Sequence, residues 1–384
     1  MIFDERMNLN QESIELHKQH GGKLEVRSKV PVGNRHELSL AYTPGVGQVC
    51  LEIAKDKTLA KTLTLKKNTV AVVSDGSAVL GLGNLGPEGA IPVMEGKAVL
   101  FKEFGSVDAF PICLNTQDTE SIIKAVKNIA PVFGGINLED ISAPRCFEIE
   151  NKLRAELDIP VMHDDQHGTA VVVLAGLINA LKLKGMPATE ARIVINGAGA
   201  AGLAVTELLL EYGVKHIIIC DTKGAIFAGR ENLTAAKEML AQKTNLEKVT
   251  GDLARVLPGA DIFIGLSKPG VLTKEMIHSM NKKPVVFALA NPVPEIMPAD
   301  ALAAGAYLVA TGRSDYPNQI NNVLAFPGLF RGALDNGIKQ FTNAMFLNAA
   351  RALAEAAGEI SPEKFLPEIF DKSICNKVAA VVRE

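Results

Sequence analysis

From residue 69 onward, short β-branched runs alternate with helical stretches, and this alternation restricts the chain to α/β layers built around mostly parallel sheets. Strands are predicted at 69–74, 107–113, 131–136 and 159–163 in the first half, and at 191–196, 216–220, 260–266, 284–290 and 306–311 in the second. Helices are predicted at 117–129, 144–157, 168–184, 200–212 and 342–357, and the last 25 residues or so also read as helical. At 384 residues with 47% apolar side chains the chain can fill two cores. The expected fold class is therefore α/β with two domains, an N-terminal α/β catalytic domain (1–160) and a C-terminal Rossmann-type doubly wound parallel sheet with terminal helices (161–384).

Polar residues recur just after the strands. Asp75 follows the first strand, Glu139 and Asp140 the third, Asp164 and Asp165 the fourth, and Asn291 and Thr311 follow strands of the second half. Ligands of open α/β sheets bind outside the carboxyl ends of the strands. A single Asp or Asn there reads as a turn former, but two acidic doublets in equivalent places point to one shared crevice.

The stretch "VINGAGAAGLAV" places Gly197, Gly199 and Gly202 in dinucleotide-loop spacing between a strand and a helix, with Ala200 and Ala201 completing the loop. The next strand ends at Asp221, about 20 residues beyond the last glycine, as a dinucleotide-binding βαβ unit requires. Gly197 makes the tight turn, Gly199 admits the pyrophosphate to backbone N–H groups, and Gly202 allows close helix–strand packing. A carboxylate at Asp221 binds ribose hydroxyls and repels a 2′-phosphate, which favours NAD. Lys223 offers a counter-charge and keeps NADP as the alternative.

In "HDDQHGTAVVV", His163 and His167 stand four apart, but the glutamate of a zinc H-E-x-x-H helix is missing. The doublets Glu139-Asp140 and Asp164-Asp165 instead offer hard oxygen ligands suited to Mg²⁺ or Mn²⁺. Lys97 lies in an apolar helical stretch where desolvation would lower its pKa toward that of a usable base. Tyr42, one of four tyrosines, precedes a Pro-Gly turn. On spacing alone, a snorkelling lysine and a core tyrosine are the better readings of these two.

A net charge of -3 and the lack of a Lys/Arg block argue against nucleic acid or an anionic membrane surface as partner. The five cysteines are odd in number and widely spaced, which reads as buried reduced thiols of a cytoplasmic protein. The N-terminus has no apolar leader, and no window reaches the roughly 18 uninterrupted apolar residues of a membrane span. The expectation is a soluble, untargeted chain with a small-molecule ligand.

Seven segments in order, "SLAYTPGVG", "VVSDGSAVLGLGNLGPEGAIPVMEGKAVLFK", "GGINLEDI", "HDDQHGTAVVV", "NGAGAAG", "ALANPVPE" and "ATGRSDYPNQINNVLAFPG", resemble the malic enzymes in their short bacterial form, from about residue 15 to the last residue. The resemblance implies oxidative decarboxylation of (S)-malate to pyruvate and CO₂ with NAD(P) and a divalent cation, in a homodimer. Position by position, it implies Tyr42 as general acid and Lys97 as general base. It further implies Glu139, Asp140 and Asp165 as metal ligands, with Asp164 supporting the acid–base pair. Asn291 and Asn321 match substrate-binding asparagines, with Asn322 beside them. Ala78 stands where larger relatives carry an arginine for a malate carboxylate, leaving Ser77, backbone amides and the asparagines to hold it. Two alternatives stay open: a malolactic enzyme that retains NAD and releases lactate, and a non-catalytic dinucleotide sensor.

Overall fold

The computed structural model describes the backbone of residues 2–384 and the side chains of residues 8–384. An N-terminal arm carries four helices, α1 (Ile2–His20), α2 (Arg35–Ala41), α3 (Val46–Lys55) and α4 (Ala60–Leu63), and none of the last three buries a residue. The first sheet follows: β1 (Thr69–Ser74), α5 (Gly86–Gly105), β2 (Asp108–Cys113), α6 (Thr119–Ile129), β3 (Gly135–Leu138), α7 (Arg145–Glu156) and β4 (Val161–His163). Its four strands are all parallel in the order β2-β1-β3-β4. All six residues of β1 are buried, as expected of a central strand covered on both faces.

Helix α8 (Asp164–Lys184) then crosses to the second sheet. It is apolar on nearly all sides, the mark of a helix sunk in a core. Among the described residues it is the one helix long and apolar enough to cross a membrane, and 78% of its apolar window is buried inside the protein. Next come β5 (Arg192–Asn196), α9 (Ala200–Tyr212), β6 (His216–Asp221), β7 (Gly224–Ala225), α10 (Ala235–Ala241), α11 (Leu253–Val256), β8 (Ile262–Gly265), α12 (Lys274–His278), β9 (Val285–Ala288), α13 (Pro298–Ala303) and β10 (Leu308–Thr311). The sheet order is β10-β9-β8-β5-β6-β7, parallel except for β7. The chain reverses its direction of travel across the sheet between β6 and β8, and this switch puts a crevice beside the carboxyl end of β5.

The terminal helices α14 (Phe326–Asn336), α15 (Asn343–Ala356) and α16 (Ser373–Val381) do not stay with the second sheet. Phe326 and Phe330 of α14 pack edge-on against Phe101 of α5, with ring centroids 4.7 and 5.4 Å apart. One apolar cluster therefore runs from Val70 and Met94 through α8 to Phe287, Phe346 and Val378, tying both sheets together.

Four expectations need correction. The strand predicted at 131–136 starts later, as β3, because Pro131 sits in a 3-10 turn (Ala130–Val132). A boundary at 160 would cut β4 from its partner β3, so the passage between sheets lies at His163–Asp164. The last 25 residues are helical only over α16, since Pro362 and Pro367 interrupt the stretch before it. Cys146, Cys220 and Cys375 are buried as free thiols, but Cys50 on the arm is exposed.

Candidate functional site

Because β3 and β4 are neighbours with Leu138 level with His163, the residues that follow them emerge side by side. Glu139 and Asp140 leave β3, while Asp164 and Asp165 form the first turn of α8. One carboxylate oxygen each from Glu139, Asp140 and Asp165 lies within 4.8 Å of the others. The cluster is held from outside. Asn137 Nδ2 donates to Glu139 Oε2 at 2.8 Å, the Asp140 N–H donates to Asp165 Oδ2 at 2.9 Å, and the Ala78 N–H donates to the Asp140 carbonyl at 3.0 Å. Asp140 Oδ2 is buried without a partner, whereas the Asp165 side chain keeps 35% of its surface open. Three converging carboxylates and an orphaned acceptor fit a hard divalent cation.

Lys97 reaches this cluster from α5, with Nζ 2.6 Å from Asp164 Oδ2 and 2.9 Å from Glu139 Oε1, above the ring of Phe326 at 4.3 Å. Its pKa does not fall as the sequence suggested. Burial alone would lower it, but the carboxylates of Asp164 and Glu139 more than offset that and raise it above the ordinary lysine value. The acids shift the other way from isolated surface carboxylates. Burial, with mutual repulsion added, pushes Glu139 up to about 7, Asp140 to about 8, and Asp164 and Asp165 to about 6. The ammonium of Lys97 only partly offsets this.

The asparagines divide. Asn322 donates a short hydrogen bond to Asp164 Oδ2, on the oxygen that also faces Lys97. Asn321 turns its Oδ1 to the Val323 N–H at 3.0 Å and caps the 3-10 turn Asn322–Leu324. Asn291 lies exposed after β9, its carbonyl against Gly81 of the loop that borders Asp140. Ser77 does not offer a free hydroxyl, since its Oγ donates to Asp75 Oδ1 at 2.6 Å and sits beside Arg145. Arg145 is itself tied to Asp75 at 2.8 Å.

The histidines are accounted for elsewhere. His163 is fully buried at the N-cap of α8, where burial lowers its pKa to about 4 and keeps it neutral, and its Nε2 stands 3.6 Å from Asp165. His167 faces away from the cluster, bonded to Glu150 at 3.0 Å and stacked on Phe346.

At the second sheet the glycine loop has the geometry its spacing predicts. Gly197 takes a φ of +126°, and a Cβ there would lie 2.3 Å from the Leu266 carbonyl. At Gly202 a Cβ would strike the Gly197 carbonyl at 1.8 Å, whereas Gly199, the cap of α9, has nothing within 4 Å. Ala200 and Ala201 open α9, whose N-terminus carries no side-chain cap and leaves its first backbone N–H groups for an anion. Asp221 ends β6, but its carboxylate is already engaged: Arg230 Nη2 lies at 2.5 Å, Lys237 Nζ at 2.8 Å and the Lys223 N–H at 2.9 Å. Burial opposes ionisation there, yet these donors win and hold the carboxyl well below the usual range. Lys223 thus contributes its backbone, and the cations come from Arg230 and Lys237. Neither was singled out in the sequence, because they lie in a loop and a short helix without periodic pattern; Asn137 and Asn322 were likewise invisible as orienting groups.

Tyr42 is not brought to the cluster. It caps α2 with 69% of its surface exposed, and its hydroxyl makes no hydrogen bond among the described residues.

Against known proteins, residues 21–154 match the family described as malic enzyme, N-terminal domain, and residues 166–384 the one described as malic enzyme, NAD binding domain. The chain is 55% identical over 379 residues to the bifunctional malic/malolactic enzyme of Bacillus subtilis, covering 98% of this chain and 92% of that protein. It is 46% identical over 382 residues to the NADP-dependent malic enzyme of Escherichia coli, covering 94% of this chain and 50% of that protein. The crystal structure of the NAD-dependent malic enzyme of Thermotoga maritima superposes with a TM-score of 0.93 at 50% identity, covering 96% of this chain and 98% of the other.

Proposed function

The chain belongs to the malic enzyme family, NAD- or NADP-dependent enzymes of oxidative malate decarboxylation, and from that premise we propose that the buried cluster of Lys97, Glu139, Asp140, Asp164 and Asp165 is where malate reacts. The observation that carries the reading is the meeting of both acidic doublets around one lysine at the carboxyl edge of the first sheet. Bound among Glu139, Asp140 and Asp165, Mg²⁺ or Mn²⁺ supplies Lewis acidity at the oxygen on malate C2 and a positive charge that offsets the carboxylates now keeping Lys97 protonated.

The side chains divide the remaining work. Lys97 accepts the C2 hydroxyl proton while hydride leaves C2 for the nicotinamide, giving oxaloacetate. For that, Lys97 first passes its own proton to Asp164, the acceptor 2.6 Å away that Asn322 holds in place. CO₂ then departs from the β-carbon and C3 of the enolate is protonated, completing pyruvate, with Tyr42 as the proposed donor, a residue that stands exposed on the arm and outside the cluster of the described chain. Asn291 and Asn321 orient the malate carboxylates. Gly197, Gly199, Ala200, Ala201 and Gly202 would hold the pyrophosphate of NAD, and Asp221 its ribose. Arg230 and Lys237 reduce the charge penalty for NADP, so both nucleotides are accepted with NAD preferred.

An absorbance assay of NADH and NADPH formation from malate with Mn²⁺, repeated in excess EDTA, tests this reading. Turnover that survives EDTA sinks the metal site, and equal rates with NADP remove the preference. The 55%-identical relative named as a malic/malolactic enzyme gives weight to a second reading in which NADH stays bound and lactate is released. Malate consumed without net NADH, with lactate formed, would establish it.

A further inference from the structure

Helix α8 begins without a cap of its own. The first N–H groups of a helix have no partner within it and are ordinarily taken by a side chain at its start. In α8 the capping position falls to His163, whose side chain makes no such bond and whose two ring nitrogens have no hydrogen-bond partner among the described residues. The next two residues are short acids of the kind that commonly turn back on the backbone. They turn outward instead, Asp164 to Lys97 and Asn322, and Asp165 to the Asp140 N–H.

The cap comes from another helix. Glu150 of α7 is 3% exposed, and its carboxylate is aimed at this one turn: Oε1 accepts the His163 N–H at 3.1 Å and pairs with His167 Nε2 at 3.0 Å, while Oε2 accepts from Gln166 Nε2 at 2.9 Å. A glutamate or glutamine at the third helical position usually reaches back to the N–H of the capping residue. Gln166 holds that position, but Glu150 has taken the N–H and Gln166 binds Glu150. Burial opposes ionisation of Glu150, yet His167 and His163 outweigh it and hold its pKa below the ordinary glutamate value. Glu139, Asp140, Asp164 and Asp165 all shift the other way, so Glu150 is a satisfied anion beside a cluster in charge deficit.

The turn is held from its other sides as well. Phe346 stacks on the His167 ring at 4.7 Å. A Cβ on Gly168 would stand 1.8 Å from Asp164 Oδ1, so glycine is needed for that carboxylate to fold over the helix. Residues 163, 166 and 167 are thus anchored behind, and the two between them face the reaction site. We propose that Glu150 is the positioning residue of the acidic site: by clamping His163, Gln166 and His167 it sets the direction in which Asp164 meets Lys97 and Asp165 joins Glu139 and Asp140. Its reach rather than its charge is what the site needs, because each contact is a hydrogen bond that a neutral acceptor of the same length also makes. The proposal rests on the reading of Glu139, Asp140 and Asp165 as the cation site.

Two substitutions separate reach from charge. Glu150→Gln keeps the reach, since its carbonyl oxygen serves His163 and His167 and its amide donates to Gln166 once that side chain turns over. Glu150→Asp keeps the charge but withdraws the carboxylate by a methylene. In calorimetric titration of the nucleotide-free protein, Mn²⁺ affinity should stay within about threefold of wild type for Glu150→Gln and fall about ten- to a hundredfold for Glu150→Asp, the scale expected when a group that orients metal ligands is displaced. The kcat should follow the same order, with the KM for NAD and the affinity for NADH unchanged. A Glu150→Gln protein as impaired as Glu150→Asp overturns the assignment, and so does a Glu150→Asp protein with wild-type Mn²⁺ affinity and kcat and only a lowered Tm. Should Glu150→Asp fail to fold, Gln166→Ala removes one arm of the clamp and should weaken Mn²⁺ binding severalfold; wild-type affinity there overturns the proposal. Asp165→Asn, titrated beside them, keeps the two readings apart. If it retains wild-type affinity the cation site itself is misplaced, whereas its loss of affinity with intact binding by Glu150→Asp removes Glu150 alone.

Discussion

Asp140 and Asp221 are the same residue placed at the carboxyl end of a parallel strand, one just beyond β3 and the other closing β6, yet their environments push them in opposite directions. Asp140 is buried among other carboxylates, and its pKa rises to about 8. Asp221 sits between Arg230 and Lys237, and its pKa falls well below the ordinary value. The first site is short of positive charge, while the second carries its counter-charges as side chains. The contrast teaches that a carboxylate after a strand has no fixed role. A cluster in charge deficit is built to take up a cation, and a satisfied carboxylate is built to present a fixed, hydrogen-bonding surface to a neutral group such as a ribose.

The largest expected effect comes from deepening the first site's loss. Asp165→Asn removes a carboxylate at the open side of the cluster, and if that carboxylate is a ligand, metal-dependent turnover should drop by about a thousandfold or more, since a bound cation contributes several kcal/mol to such chemistry. Dinucleotide binding, followed by fluorescence titration of NADH, should stay close to wild type. An unchanged Mn²⁺ requirement would remove Asp165 from the ligand set.

At the second site the change is smaller. Asp221→Ala should lose the proposed ribose contact, and a charge-assisted hydrogen bond contributes about 1.5–3 kcal/mol, so the KM for NAD should rise roughly ten- to a hundredfold. It also frees Arg230 and Lys237 for a 2′-phosphate, so the preference should move toward NADP. Arg230→Ala should move it the other way. If both variants leave the NAD/NADP ratio of kcat/KM untouched, the ribose is recognised elsewhere.

The two sites should also respond oppositely to pH. Glu139, Asp140, Asp164 and Asp165 have folded pKa values between about 6 and 8, above those of an unfolded chain. The native state therefore binds more protons than the unfolded state over this range, and stability of the metal-free protein falls as pH rises from about 5 to 8. Asp221 is depressed, so its contribution is complete above an unfolded carboxyl's pKa and is lost only in more acidic solution. Thermal unfolding in EDTA should show Tm decreasing across the neutral range, and saturating Mn²⁺ should remove most of that slope. A flat Tm without metal would mean the carboxylates are not desolvated as the structure has them.

The smallest effect is expected at His167. It pairs with Glu150 and stacks on Phe346, away from the cluster, so His167→Ala should change Mn²⁺ affinity by less than about twofold, within the range of substitutions remote from a ligand set. Calorimetric titration showing a large loss would return a histidine to the metal site.

Local pattern determined much of this protein by itself. The alternation of strand and helix placed β1, β5 and α9 within a residue or so, because a polar or glycine residue, Asp75, Gly197 or Gly213, stops each on chemical grounds. The glycine loop was equally legible, since Gly197 and Gly202 are required wherever a helix turns tightly against its strand. Acidic doublets after two strands announced a charged crevice, and adjacency of β3 and β4 brought them together. Tertiary structure alone decided the sign of each charge's energetics. Lys97 sits in an apolar helix that suggested a lowered pKa, but Asp164, 67 residues away in sequence, reverses it. The cations on Asp221 come from Arg230 and Lys237, which no periodicity marks, and Asn322 finds Asp164 across 158 residues. Backbone pattern is a short-range property that a few neighbouring residues settle, whereas electrostatic environment sums over whatever the fold brings within a few ångströms, and those partners are distant in the chain.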